Sequence, residues 1–247
     1  MTTPDRWTRT VREQLGLGRL LPLGGPRDGA WVAECAAREA LLAAVRDVPG
    51  VRPGRLRIAL ADPQETSEPV VPAPPSGLPP GPLRVTADFA ASAAEPLPVA
   101  AERLRTALAE AATRRIGLAV TEVDLRATDL LEAAPEPDPG PGAEQGPAGA
   151  DAPVADVEAD GTDEGRAAGA ALAVPGVRGL SRTLGRPVHI TRRDAGREAA
   201  LPHRHVRLEL AVDADRTTAE VARQVRAAVA GTLPDRPTVA VLVTAIG

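Results

Sequence analysis

Apolar positions recur along this chain with two periods, and the switches between the periods mark its elements. Leu83, Val85, Ala87 and Phe89 alternate with Arg84, Thr86 and Asp88, the period of two that sends successive side chains to opposite faces of a strand. Residues 56–60 (Leu-Arg-Ile-Ala-Leu) alternate in the same way, as do Val123, Leu125 and Ala127 with Asp124, Arg126 and Thr128. Leu97, Ala101, Leu104, Leu108, Ala111 and Ile116 instead follow the helical period, and Gly117 closes that helix. An earlier helix is expected over residues 29–47, with Val32, Ala36, Leu41, Leu42 and Val45 apolar, stopped by Val48-Pro49-Gly50-Val51. Residues 62–82 are proline-rich and too long for a tight hairpin. At the start, Thr3 and Pro4 open a short helix over residues 3–14 with Trp7 and Val11 on one face. A glycine-punctuated connector, residues 16–26, follows it.

The same order then returns. A short helix over residues 166–173 ends in Val174-Pro175-Gly176-Val177-Arg178, which repeats Val48-Pro49-Gly50-Val51-Arg52 residue for residue. Val188 and Ile190 suggest a strand, and Val206, Leu208, Leu210 and Val212 lie without gaps on Leu83, Val85, Ala87 and Phe89. Thr217-Thr218-Ala219-Glu220 reads as a capping box opening a helix with Val221, Val225 and Val229 on one face. Val239, Val241, Val243, Thr244 and Ile246 match Val123, Leu125, Ala127, Thr128 and Leu130. Five elements in one order point to an internal duplication.

The expected fold class is therefore α/β (α+β): two tandem helix–strand–strand–helix–strand modules, each a small sheet with helices on one face. The first two strands pair antiparallel, and a right-handed crossover sets the last strand parallel to its predecessor. The expected division is an N-terminal helix and Gly/Pro connector (1–28), a first module (29–132), an acidic disordered linker (133–164) and a second module (165–247). The uncovered face of the first sheet carries Arg84, Thr86, Asp88, Asp124 and Arg126, so it is solvated or faces a partner.

Charge sharpens this division. Residues 132–164 hold ten acids and no base; of the 33 acids that leaves 23 against 29 basic residues, all Arg, so the remainder is net +6. A stretch of Pro, Gly, Ala and acids cannot bury enough apolar surface to offset its ordering. The single cysteine, Cys35, excludes an internal disulfide and a cysteine-based zinc site, in keeping with a cytoplasmic protein. No apolar run approaches the roughly 18 residues of a membrane span, and no signal peptide is evident, so any membrane association would be peripheral and through a partner.

Three features resemble the alkaline-shock, general-stress family of bacterial envelope-stress proteins: the helices ending in Val-Pro-Gly-Val (48–51 and 174–177), the strand–Leu-Pro–helix segment of residues 83–116 leading into Gly117-Leu118, and the alternating strand of residues 123–130. The first module carries all three; the second replaces the Gly-Leu turn by Leu233-Pro234-Asp235-Arg236-Pro237. A member of that family has one such domain as a rule, whereas this chain carries two and a proline-rich insertion. The chain is also similar to high-GC bacterial proteins grouped under the name of a nucleopolyhedrovirus fibrillar protein, though no residue supports a viral role. The resemblance implies a non-enzymatic protein, without cofactor or metal, that binds paralogues or a membrane-anchored partner at the cytoplasmic face.

Candidate chemistry is sparse. His203 and His205 fall on one side of a strand as two metal ligands would, with His189 a third, but no carboxylate or Cys completes the set and the plainer expectation is solvated histidines where a strand begins. Cys35 has no histidine in its module to activate it, so it reads as an inert thiol. The glycines of residues 16–25 follow no strand and the chain has no Lys for a phosphate loop, so they read as a connector. Eight arginines between residues 178 and 207 (Arg178, Arg182, Arg186, Arg192, Arg193, Arg197, Arg204 and Arg207) form the best electrostatic candidate. Their targets would be an acidic partner, an anionic surface, nucleic acid or the acidic linker, and the plainer reading is a solvated face. The exposed strands lack the stacking aromatics of RNA-binding sheets. Trp7 and Val11 mark a docking helix for a partner or a helix folded onto its own module. The expected partner-binding residues are thus Trp7, Val11, Arg178, Arg182, Arg186, Arg192, Arg193 and Arg197. The alternative function is weak nucleic-acid or anionic-surface binding through residues 178–207.

Overall fold

The computed structural model describes residues 16–132, 161–193 and 203–247. The N-terminal helix with Trp7 and Val11, Arg197, and the linker as far as residue 160 lie outside the described residues.

The first module comprises helix α1 (Glu34–Val45), strands β3 (Val51–Leu60) and β4 (Leu83–Ser92), helix α2 (Leu97–Glu110) continuing into a π-helical turn (Ala111–Ile116), and strand β5 (Val120–Leu131). The second comprises helix α3 (Asp163–Leu172), strands β6 (Val177–Leu180), β7 (Val188–Arg193) and β8 (His203–Val212), helix α4 (Thr218–Thr232) and strand β9 (Thr238–Ile246). The fold is mixed α and β; the first module follows the expected helix–strand–strand–helix–strand order, and the second adds an unexpected short strand, β6, ahead of β7. β3 and β4 pair antiparallel, and β5 joins β4 in parallel; β6 and β7 both pair antiparallel with β8, which β9 joins in parallel.

The modules correspond pairing by pairing. Val85, Ala87 and Phe89 face Val123, Leu125 and Ala127; Val206, Leu208 and Leu210 face Val239, Val241 and Val243. One residue is then skipped in each last strand, Thr128 and Thr244. Their hydroxyls donate to the Phe89 carbonyl at 3.2 Å and the Leu210 carbonyl at 3.1 Å. This shared bulge lays Leu210 on Phe89, so the gapless alignment of Val206 with Leu83 is two residues out of register. The first two strands also differ: an irregularity between Pro53 and Leu56 in β3 has grown in the second module into residues 181–187, which divide β6 from β7.

Two expectations fail at the N-terminal side. Residues 20–22, expected to be connector, form strand β1 (Leu20–Pro22), and the front of the helix expected over residues 29–47 is strand β2 (Ala30–Ala33). β1 pairs antiparallel with β2, and β2 pairs in parallel with β9. The larger sheet therefore runs β1-β2-β9-β8-β6, with β7 also on β8, while the smaller is β3-β4-β5. Ala30, Trp31 and Val32 read as the first turn of a helix, but Val241, Leu242 and Val243 offer them a ladder and full burial. Tertiary pairing outweighs a helix propensity worth only tenths of a kcal/mol per residue. α3 begins at Asp163, inside the segment assigned to the linker, because the Thr162 hydroxyl accepts from the Gly165 amide at 3.1 Å.

Both modules contribute to one core, which takes in Trp31, Leu41, Ile58, Phe89, Leu104, Leu208, Val225 and Val241. Polar ties cross between them. Thr217, expected to cap α4, makes no side-chain cap; its hydroxyl donates to the Arg114 carbonyl at 2.9 Å. Gly117 adopts φ 87°, and a Cβ there would stand 2.4 Å from Ala219 Cβ, so the turn closing α2 must be glycine for α4 to approach. Arg226 on α4 donates to the Arg27 carbonyl (2.8 Å), the Asp28 carbonyl (2.5 Å) and the Val239 carbonyl (2.9 Å), joining the β1–β2 turn to the second module. Arg226→Leu is expected to cost about 2 kcal/mol, since it strands these half-buried acceptors; equilibrium unfolding in urea measures it, and a loss under ~0.5 kcal/mol would show the tie to be idle.

Candidate functional site

The structure disperses the arginines of residues 178–207. Arg178 on β6, Arg182 and Arg186 on the loop of residues 181–187, and Arg192 on β7 are exposed. Arg193 sits opposite His203 in the ladder of β7 and β8. Arg204 is withdrawn: its guanidinium is shared between Asp163 and Asp235, with Nε 2.6 Å from Asp235 Oδ2. Both carboxyls are held below the usual range by hydrogen bonds from Arg204, joined at Asp163 by one from Arg166. Arg207 is largely buried on the face of β8 opposite the helices, its Nη2 3.7 Å from Glu209 Oε1. The four exposed arginines therefore form no single cluster with the other two.

The histidines separate as well. His203 is exposed, but His205, expected to be solvated, is buried, with Nδ1 2.9 Å from the Thr238 hydroxyl. His189 is exposed on β7. Among the described residues no three His, Cys, Asp or Glu side chains gather as metal ligands would. Cys35 stands half-buried in the first turn of α1, and burial, with Glu39 nearby, pushes its thiol pKa up, away from a reactive thiolate. Beside it opens a groove of about 650 Å3 walled by Gly18, Arg19, Glu34, Arg38, Arg55 and Arg57. Arg19 is tied to Glu34 Oε2 (3.4 Å) and to the Ile58 carbonyl (2.8 Å). Sequence reading missed this basic groove because Arg19 precedes β1, Arg38 lies on α1 and Arg55 and Arg57 belong to β3, and only the packing of α1 beside β3 brings them together.

The sharpest contrast lies between the two sheets. The second is covered on both faces. Helices lie on one; on the other, Trp31, Leu242 and Glu209 share a row under residues 61–82 and 181–187. Trp31 donates its indole N–H to the Leu78 carbonyl at 3.0 Å, and Glu209 Oε2 accepts from the Leu184 amide at 2.9 Å. Burial pushes the Glu209 carboxyl up to about 7, against the opposing pull of the Leu184 amide and Arg207. β9 is accordingly buried along nearly its whole length and flanked on both edges.

The corresponding strand of the first module, β5, is an edge. Glu122, Asp124, Arg126, Ala127 and Leu130 are exposed along it, and Val123 and Leu125 are only half-buried. Leu130 is 60% exposed, and Leu97 and Val99 at the start of α2 are exposed as well. The face away from the helices is solvated, as its charged pattern predicted, with Arg84 2.5 Å from Glu122 and 3.5 Å from Asp124. An open sheet with a 12-residue free edge is a surface suited to pairing with another polypeptide.

No family model matches the chain, and no curated protein matches it. Among solved structures, a doubly substituted form of MamM-CTD matches at 28% identity over 34% of this chain and 89% of its own, with a TM-score of 0.25; a superposition that poor carries no argument about fold or function. Among the described residues no helix is long and apolar enough to cross a membrane.

Proposed function

We propose that this chain is a non-enzymatic adaptor that binds other proteins through the open sheet of its first module. One observation carries the reading: the same module occurs twice around one core, and its last strand is enclosed in the second copy yet a free edge 12 residues long in the first. Leaving such an edge open invites strand addition, which natural sheets otherwise block. The resemblance to the alkaline-shock family supplies the partner class, a paralogue or a membrane-anchored protein at the cytoplasmic face.

A second reading, electrostatic binding of nucleic acid or an anionic surface, rests on Arg178, Arg182, Arg186 and Arg192, which are exposed and carry no ion pair among the described residues. Crosslinked capture from native cells separates the two when run on the wild type, on Leu130→Asp and on Arg182→Glu with Arg186→Glu. Protein capture lost in Leu130→Asp, kept in the arginine variant and indifferent to nuclease is the expected result. Nucleic acid recovered instead, and lost with the arginines or in high salt, would overturn the adaptor reading. Both changes are at exposed positions and should alter stability by less than about 0.5 kcal/mol.

A further inference from the structure

The free edge of β5 is self-complementary in one register. Laid antiparallel against itself with Leu125 opposite Leu125, the strand sets Asp124 opposite Arg126 twice and Val123 opposite Ala127 twice. Glu122 then meets Thr128 and finds no like charge across from it. Moving the centre by one residue, to Asp124 or Arg126, sets aspartate on aspartate or arginine on arginine at the axis. Half-step registers place Asp124 or Arg126 opposite Leu125 and turn the apolar face of one strand to the polar face of the other. Asp124 is exposed enough to turn outward, its side chain 61% accessible with Arg84 no closer than 3.5 Å. Arg126 has no ion pair among the described residues.

We infer that two copies of this chain associate by antiparallel pairing of β5 with β5 of the second copy, about a two-fold axis through Leu125. This deepens the adaptor reading and rests on it, because it names the partner of the same open edge. The second module shows that this position of the fold accepts an added strand, since β2 occupies the matching edge of β9. The residues skipped in the β4–β5 ladder, Thr121 and Thr128, bound the regular part of the edge, residues 122–127, which holds the Asp124–Arg126 and Val123–Ala127 matches. A two-fold pairing uses β5 of both copies and leaves no β5 free, so the assembly closes as a dimer and does not grow into a fibre.

Sedimentation across a concentration series of the full chain tests this. A concentration-dependent mass twice that of the chain is expected. Asp124→Arg sets cation against cation at both symmetric sites and should weaken the dimer about tenfold or more. Combining it with Arg126→Asp reverses both pairs and should restore affinity to within about threefold of wild type. As a readout independent of charge, Leu125→Cys in a Cys35→Ala chain should crosslink to a disulfide-linked dimer on mild oxidation, because opposed strand positions hold Cα atoms about 4.5–5.5 Å apart. A chain that stays monomeric at every concentration, or a dimer indifferent to Asp124→Arg and refractory to the Leu125→Cys crosslink, overturns the inference. Monomers whose capture of other proteins is still lost in Leu130→Asp would sink the dimer and leave the adaptor reading standing. A β5 dimer beside protein capture unchanged by every edge variant would do the reverse.

Discussion

Trp31→Ala is expected to cost about 3–5 kcal/mol, the usual loss for truncating a fully buried aromatic side chain. The indole is 1% exposed, stacked in a row with Leu242 and anchored to the Leu78 carbonyl. It holds three parts of the chain at once: β2 against β9, β1 against β2 through the Trp31–Pro22 pairing, and residues 61–82 over the sheet. A stability of 5–15 kcal/mol is typical of a folded protein, so this one change removes a large share of it. Urea unfolding measures the loss. Hydrogen exchange should localise it, with the Leu20 and Leu78 amides, which bond to Ser76 and Leu20 carbonyls, exposed first. Trp31→Phe keeps one aromatic ring and loses the pyrrole ring with its N–H donor, and should cost about 1–2 kcal/mol. A Trp31→Ala loss below about 1 kcal/mol would mean that β1 and β2 are not integral to the second sheet.

Stability should also fall as pH rises from about 4.5 to about 7, by up to ~3 kcal/mol, because Glu209 folds protonated. Its carboxyl is 0% exposed, Oε1 has no hydrogen-bond donor, and burial raises its pKa from 4.5 to about 7. Below 4.5 the carboxyl is protonated in both states and folding carries no penalty. Between 4.5 and 7 the unfolded chain ionises while the folded chain holds the proton, so stability declines. Above 7 both are ionised and the profile is flat. Glu209→Gln keeps an acceptor for the Leu184 amide, removes the charge and should abolish the decline, leaving the variant the more stable protein above pH 7. At the acid end Asp163 and Asp235 act with the opposite sign: Arg204 lowers their pKa values, so their contribution is lost as pH falls below about 3.8. Thermal unfolding from pH 4.5 to 8, wild type against Glu209→Gln, decides the matter; parallel profiles would show that Glu209 is solvated.

Much of the module was legible from local pattern. The strict alternation of β4 and β5, the helical period of α2 ending at Gly117 and the two Val-Pro-Gly-Val turns each encode their structure within a few residues; Gly50 and Gly176 take the positive φ, 69° and 97°, that ends a helix. The solvated face of the first sheet followed from Arg84, Thr86, Asp88, Asp124 and Arg126 alternating with apolar neighbours, because a strand offers only two faces. A signal in the last strands could have been used further. Residues 239–243 (Val-Ala-Val-Leu-Val) form an unbroken apolar run, the mark of a strand buried on both faces, whereas β5 alternates. That difference already separates an enclosed sheet from an open one.

The electrostatic candidate was the least legible feature. Arg204 and Arg207 fall within one basic stretch of sequence, but Arg204 is paired with Asp163 and Asp235, 41 and 31 residues away, and Arg207 is drawn in beside the buried Glu209 side chain. Charge density along a sequence counts residues without regard to which of them are already paired.

The sequence by itself determined the order of helices and strands in the first module, the turns that end the helices and which side of β4 faces the core, because these depend on neighbours a few positions apart. Only the tertiary structure decided that β1 and β2 complete the second sheet, that Glu209 and His205 are buried and that β5 is left as an edge. Ala30-Trp31-Val32-Ala33 is a strand because Val241-Leu242-Val243, more than two hundred residues away, supplies its hydrogen bonds, and no local pattern carries the identity of a partner so distant.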